Sequence, residues 1–206
     1  MTHPAGNPDA DDLRRFLAGD RRAFEGIVAR NQNRVYAVCL RMLRDPDAAF
    51  DATQDAFVQA LRTAPRFEGR ALFSTWLYRV AINTCHDRLR RDRRRPTVSL
   101  DGAPGDGDPP REFADPAAER AVESAAMRPD LQSALDALGP DFRATVVLCD
   151  IEGLDYAEAA AVLNVAVGTI KSRLSRARAE LARRLRPGNG TRGREATPGG
   201  NTGGGS

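Results

Sequence analysis

The chain has 206 residues, with 31 basic against 28 acidic side chains, and a formal net charge of +3. This length allows one or two small domains with packed cores. No stretch approaches the roughly 18 uninterrupted apolar residues of a membrane-spanning helix. The first residues contain acids and lack the apolar segment of a secretory signal, so we expect a cytoplasmic protein without membrane insertion.

Cysteine and histidine usage argues against a metal site or a catalytic centre. Cys39, Cys85 and Cys149 are odd in number and lack the CxxC spacing of zinc sites, so neither a disulfide framework nor a metal site is predicted. An enzyme using Cys85 and His86 is one alternative, but neighbours on a helix point about 100° apart and make a poor nucleophile–base pair. We expect no cofactor, no metal and no catalytic residue.

The first half of the chain predicts three helices. We expect residues 1–12 to be disordered, and residues 13–95 to be helical because apolar residues recur there at three- and four-residue steps. Asp45-Pro46-Asp47 ends the first long helix and offers an N-cap for the next, which runs roughly over 48–62. Ser74 or Thr75 is the predicted cap of the third helix.

The second half predicts a linker, a second helical domain and a tail. Residues 96–128 contain five prolines and few large apolar side chains, and residues 97–127 hold seven acids against two arginines, a local charge of −5. Residues 129–186 are helical again, and residues 187–206 form a Gly-rich tail that we expect to be disordered. The predicted fold is all-α, with two small helical domains joined by a flexible acidic linker.

The segment 155–185 has the pattern of a helix-turn-helix motif. Ala160 and Ala161 allow close helix approach, a turn follows at 164–167, and the second helix enters the major groove in such motifs. From Lys171 to Arg186 seven cations face one acid, a local charge of +6. A basic helix alone is usually a solvated surface, but directly after this corner it favours DNA binding.

Two roles are predicted along the second helix of this motif. Four side chains lie where base edges come within reach, and arginine reads guanine with two hydrogen bonds. They are Lys171, Ser172, Ser175 and Arg176. Arg173 and Arg178 are predicted phosphate contacts, which set position without reading sequence.

A second basic block closes the first domain. From Phe67 to Arg95 eight arginines face three acids, a local charge of +5, with aromatic residues between them. Cations beside aromatic rings suit single-stranded nucleic acid, since bases stack on the rings or enter pockets while the backbone is neutralised. The alternative is that Phe73 and Trp76 simply pack in the core.

An acidic stretch precedes that block. Four aspartates lie within residues 45–55, where no basic residue compensates them. Part of this pattern is capping and helix-dipole chemistry. The remainder is typical of a docking face for a basic partner helix.

These segments together resemble the bacterial sigma factors of the extracytoplasmic-function (ECF) group. Residues 51–57 resemble region 2.2, which docks on the clamp helices of the RNA polymerase beta-prime subunit. Residues 67–87 are similar to regions 2.3 and 2.4, and residues 154–185 to region 4.2. The position before Asp51 is commonly acidic in this family and is Phe50 here, which removes one docking charge.

The resemblance implies that residues 13–95 form region 2 and residues 129–186 form region 4. Region 4 would bind the −35 promoter element as duplex, and region 2 would hold the −10 element and capture its opened strand. The implied −10 and melting residues are Phe67, Glu68, Gly69, Arg70, Ala71, Trp76, Arg79 and Asn83. The implied polymerase-docking residues are Asp51, Gln54 and Asp55.

The implied partners are core RNA polymerase through its beta-prime and beta subunits, promoter DNA, and an anti-sigma factor. No catalytic residue is needed, because polymerase performs the chemistry. The alternative is a stand-alone helix-turn-helix regulator that dimerises through its N-terminal helices. That alternative explains residues 129–186 but leaves the acidic and basic–aromatic segments at 45–95 unexplained.

Overall fold

The computed structural model describes residues 7–69, 71–94 and 129–185. The predictions for the linker, for the tail and for Arg70 fall outside these ranges. Within them every regular element is helical and none is a strand, which confirms the all-α prediction. None of the helices in these ranges is long and apolar enough to span a bilayer.

Within these described ranges, two groups of four α-helices follow one another. The first group is α1 (Pro8–Leu17), α2 (Ala23–Leu43), α3 (Pro46–Thr63) and α4 (Phe73–Arg94), with a 3₁₀ turn at Ala64–Arg66. The second group is α5 (Pro129–Asp136), α6 (Pro140–Val146), α7 (Tyr156–Leu163) and α8 (Val167–Arg184). A single π-helical turn, Val147–Ile151, extends α6.

The prediction that residues 1–12 are disordered is wrong from Pro8 onward. The Asn7 side chain accepts a hydrogen bond from the Asp9 amide, and Pro8 occupies the first turn. The N-terminus of α1 is therefore capped. Arg30 on α2 then pairs with Asp9 at 2.8 Å and with Asp12 at 2.7 Å. Two acids of this first segment therefore hold it on α2.

Helix boundaries follow the predicted caps at α3 and differ at α4. Asp45 caps α3 as predicted, with its carboxylate accepting the Ala48 amide at 2.8 Å. The α4 helix begins at Phe73 and already contains Ser74 and Thr75, so the prediction that one of them caps it is wrong. Phe73, in the first turn of the helix, is buried against Trp76 of α4 and Phe67 of the preceding loop.

The two helical groups pack against each other through one shared core. Ala144, Val147, Leu148 and Ile170 of the second group belong to the same buried cluster as Val38 and Leu77 of the first. A smaller cluster around Leu135 and Leu174 holds α5, α6 and α8 together. This mutual packing of the two groups is a feature that the sequence did not predict.

Candidate nucleic-acid interface

The corner between α7 and α8 has the geometry of a helix-turn-helix. Asp155 and Glu158 form a reciprocal capping box at the start of α7. Asn164 ends α7 in the left-handed region with a φ of 52°, and the Val165 amide donates to the Ala160 carbonyl at 3.1 Å. Because asparagine tolerates this conformation, the chain turns sharply and α8 begins at Val167.

Five of the six predicted contact residues on α8 are exposed, and four of these make no ion pair among the described residues. Lys171, Ser172, Ser175 and Arg176 are exposed, and neither cation has an ion-pair partner among the described residues. Both charges are therefore available to an external ligand. The opposite face buries Leu174 against the smaller core.

The two predicted phosphate contacts are paired within the chain instead. Arg173 donates to Asp141 at 2.6 Å, and Arg178 donates to both carboxylate oxygens of Asp150 at 3.1 and 2.5 Å. The hydrogen bond to Asp150 raises the pKa of Arg178 above its ordinary value. These arginines brace α8 against α6 and the π-helical turn, so their phosphate role remains a prediction.

The loop after α3 and the start of α4 form an open pocket of about 410 Å³. Five of the eight residues predicted for the −10 strand line it together. They are Phe67, Glu68, Ala71, Trp76 and Arg79. Gly69 adopts a φ of 68° in this loop, a conformation that favours glycine. Arg70 lies outside the described residues, and Asn83 is exposed further along α4, away from the pocket lining.

Aromatic rings build one wall of this pocket. The ring centroids of Phe67, Phe73 and Trp76 lie 5.1 to 5.5 Å apart in tilted and edge-on arrangements. Phe73 is fully buried, whereas Trp76 is half-buried and contacts both the core and the pocket. Phe73 is therefore a core residue, as the alternative had it. Trp76 packs against the core and is also accessible from the pocket.

The chain matches the models of two protein-family regions. Sigma-70 region 2 matches residues 27–95, and Sigma-70 region 4 matches residues 119–181. The chain belongs to the sigma-70 family. The ECF RNA polymerase sigma factor SigM of Mycobacterium tuberculosis is 40% identical over 179 residues, covering 86% of this chain and 84% of SigM. The chain therefore belongs to the ECF group of this family, which confirms the resemblance seen in the sequence.

Two solved structures share the fold of this sigma-70 family chain. CnrH, solved in complex with the cytosolic domain of CnrY, has a TM-score of 0.61 at 26% identity, covering 86% of this chain and 96% of that one. The sigma factor RpoE of Bartonella quintana, solved with the anti-sigma factor NepR, has a TM-score of 0.59 at 25% identity and covers 79% and 96%.

The predicted docking residues of region 2 lie on the exposed face of α3. Asp51, Gln54 and Asp55 are all exposed and follow one another at three- and one-residue steps. Arg88 of α4 reaches them, with its guanidinium 3.5 Å from Asp51 and 3.1 Å from Asp55. The side chains of both acids remain more than half exposed, so the face is anionic but already shares one cation.

The thiol-enzyme alternative does not match the structure. Cys85 is fully buried, and its contact with the buried Cys39 together with burial raises the pKa of its thiol. A nucleophilic cysteine needs an accessible thiolate. No cluster of candidate metal ligands occurs among the residues that the structure describes.

Sequence reasoning missed a set of charged residues at the contact between regions 2 and 4. Arg41 and Arg143 are buried, and the side chain of Glu152 is only 8% exposed. Arg41 interrupts the apolar face of α2, and Arg143 interrupts the apolar run of α6. A charge at an apolar-face position was the one available signal, because such residues need a buried partner.

Proposed function

We propose that this sigma-70 family chain is a specificity subunit of RNA polymerase that directs promoter-specific transcription initiation. The observation that carries the proposal is the pairing of two nucleic-acid surfaces in one chain. One is the free cationic face of α8, and the other is the aromatic-walled pocket beside α4. A stand-alone regulator has no use for the second surface.

The α8 face would read the −35 element as duplex DNA. Lys171 and Arg176 are exposed near the N-terminal half of the helix, the part that contacts base edges in helix-turn-helix proteins. Arg176 would donate to guanine, and Ser172 and Ser175 would add shorter polar contacts. Arg173 and Arg178 would reach phosphates only by sharing or leaving their aspartate partners.

The pocket beside α4 would hold an extruded base of the −10 element. Unpairing a base costs a few kcal/mol, so a pocket that binds only the extruded form biases the duplex toward opening. Trp76 and Phe67 offer aromatic faces for stacking, and Arg79 offers an exposed cation for the backbone. Asn83 would contact the strand further along α4.

The acidic face of α3 would dock on the beta-prime clamp helices of core polymerase, with further contacts to the beta subunit. Polymerase supplies the chemistry, so the chain would need no catalytic residue of its own and would act in the cytoplasm. An anti-sigma factor is a further proposed partner, supported by the similar sigma factor RpoE, which was solved with the anti-sigma factor NepR.

The test is to compare DNA footprints of the free chain and of its complex with core polymerase on a promoter library. We expect strong, promoter-specific protection only when polymerase is present. Protection by the free chain alone, together with dimerisation, would contradict the proposal and favour the regulator.

A further inference from the structure

The contact between regions 2 and 4 is centred on the carboxylate of Glu152, which follows the π-helical turn. Tyr78 donates its hydroxyl to one carboxylate oxygen at 2.7 Å, and Arg41 lies 3.3 Å from the other. Arg34 approaches at 3.7 Å. One region 4 side chain therefore enters an anion-binding socket made of three region 2 residues, Arg34, Arg41 and Tyr78.

This socket is built for a negative charge. The side chains of Glu152 and Arg41 are each only 8% exposed, and a buried ion is tolerated only when it is paired and hydrogen-bonded. Arg34 lies 5.9 Å from the centre of the Tyr78 ring, so its charge also contacts that ring face. The Nε of Arg41 is buried without a partner in the described residues, which leaves the socket one unused donor.

Three further bonds join the two regions around the socket. Arg143 donates to the Met42 carbonyl at 2.6 Å, and Arg44 pairs with Asp136 at 2.9 Å. Arg79 donates to the Ala161 carbonyl at 2.5 Å. Arg79 is one of the residues that would hold the −10 strand, and Ala161 lines the same pocket. The closed arrangement therefore occupies a donor that the DNA would need.

We propose that Glu152 is an internal anionic plug that holds region 4 closed on region 2. When the regions separate, the socket of Arg34, Arg41 and Tyr78 takes a phosphate of the single-stranded promoter DNA in its place. The DNA half of this proposal rests on the proposed sigma function, whereas the closure half does not. Carboxylate and phosphate oxygens accept hydrogen bonds from the same arginine and hydroxyl donors. The socket lies on α2 and α4, and α4 also carries Arg79.

Closure is tested on the free full-length chain with the variants Glu152→Gln and Glu152→Arg. The matched control is Glu180→Gln, which removes one charge from an α8 acid that pairs only with neighbouring arginines of its own helix. Trp76 is the sole tryptophan of the chain and lies in the pocket that Ala161 borders. Its emission maximum and the radius of gyration from solution scattering report the separation of the regions.

We expect both Glu152 variants to shift Trp76 emission and enlarge the radius of gyration, with the larger change for the charge reversal. The control should match the parent chain. If the variants stay as compact as the control and keep the parent emission, Glu152 is not the plug and closure is due to the other contacts between the regions.

Phosphate binding is tested with a fluorescent mixed-sequence 12-nucleotide DNA. If the open form is a tenth of the free parent chain, opening raises the apparent affinity about tenfold. We expect Glu152→Gln to bind this probe about tenfold more tightly, and Arg41→Met in the same chain to reverse the gain. Opening without any gain in DNA affinity would overturn the phosphate site.

Transcription with core polymerase separates this proposal from the sigma function. An opened Glu152→Gln chain that still starts promoter-specific transcripts supports both. A parent chain that starts none contradicts the sigma function, while the emission and scattering results still decide closure.

Discussion

A single buried arginine joins two helix ends in this molecule. The guanidinium of Arg143 donates to carbonyls of Leu135, Asp136 and Leu138 at and beyond the end of α5, and to Met42 at the end of α2. The last carbonyls of a helix lack intrahelical donors and carry partial negative charge. Arg143 therefore satisfies groups of both regions from one buried position.

Replacing Arg143 by methionine removes these donors while keeping an apolar chain of similar length. The Leu135 carbonyl keeps the Leu138 amide as a donor, so three carbonyls lose their partner. Each unsatisfied carbonyl costs about 1–3 kcal/mol, so we expect the free energy of unfolding to fall by at least about 3 kcal/mol. Urea denaturation followed by circular dichroism measures this loss. Arg184→Met, at an exposed residue, should stay within about 0.5 kcal/mol of the parent; an equal loss in both variants would contradict the capping role.

A second prediction at the scale of single residues concerns the exposed cations of α8. Lys171→Ala or Arg176→Ala should lower transcription from promoters with a −35 element about tenfold, since one contact to a base edge is worth about 1–3 kcal/mol. Core polymerase binding should not change. Run-off transcription measures promoter use, a pull-down measures polymerase binding, and Arg183→Ala is the control. Unchanged transcription with Lys171→Ala and with Arg176→Ala would count against the −35 assignment.

At the scale of elements, the three- and four-residue spacing of Ile170, Leu174, Ala177, Leu181 and Leu185 predicts one apolar stripe on α8. The same spacing does not indicate which groups the buried charges bind. Ile170, Leu174, Ala177 and Leu181 are buried as the three- and four-residue steps indicate. Leu185, counted in the same stripe, is 42% exposed because it lies past the end of the helix. The partner of Arg41 is Glu152, 111 residues away, and periodicity carries no information about such a pairing.

The acidic face of α3 gives a prediction for one element. Asp51→Arg combined with Asp55→Arg reverses the charge that would meet the polymerase clamp helices and adds repulsion against Arg88. We expect core polymerase binding to weaken at least about tenfold, because like charges placed across an interface cost several kcal/mol. The control is Asp87→Arg with Asp92→Arg, which makes the same charge change on α4. Equal polymerase affinity of both double variants in a pull-down would contradict the docking role of the α3 face.

The contact of α4 with the start of α6 gives a pH prediction. Burial lowers the pKa of His86, whose ring lies beside the Pro140 carbonyl with Asp141, Arg90 and Arg173 around it. The closed arrangement therefore resists protonation, so its stability is full above the ordinary histidine pKa of about 6.5 and falls as the pH drops through the lowered value.

Acidification from pH 7.5 to 5.5 should accordingly enlarge the radius of gyration and shift Trp76 emission in the parent chain. His86→Gln removes the titrating group and should abolish the response in this window. The same pH response in His86→Gln and in the parent chain would assign the effect to other groups.

At the scale of the whole molecule, the net charge of +3 is the sum of separate basic and acidic surfaces. Cations face outward on α8, acids lie on α3, and the two regions meet through a buried carboxylate among arginines. The sequence predicted this segregation because like charges cluster along the chain. It did not predict the closed packing, because that depends on which surfaces meet after folding.

The most direct test of the promoter-directing function is start-site mapping of transcripts made in vitro. Core polymerase is supplied with a promoter library, with and without this chain. The account predicts a set of defined starts that depends on the chain and shares −35 and −10 sequences. Identical transcripts with and without the chain would contradict it.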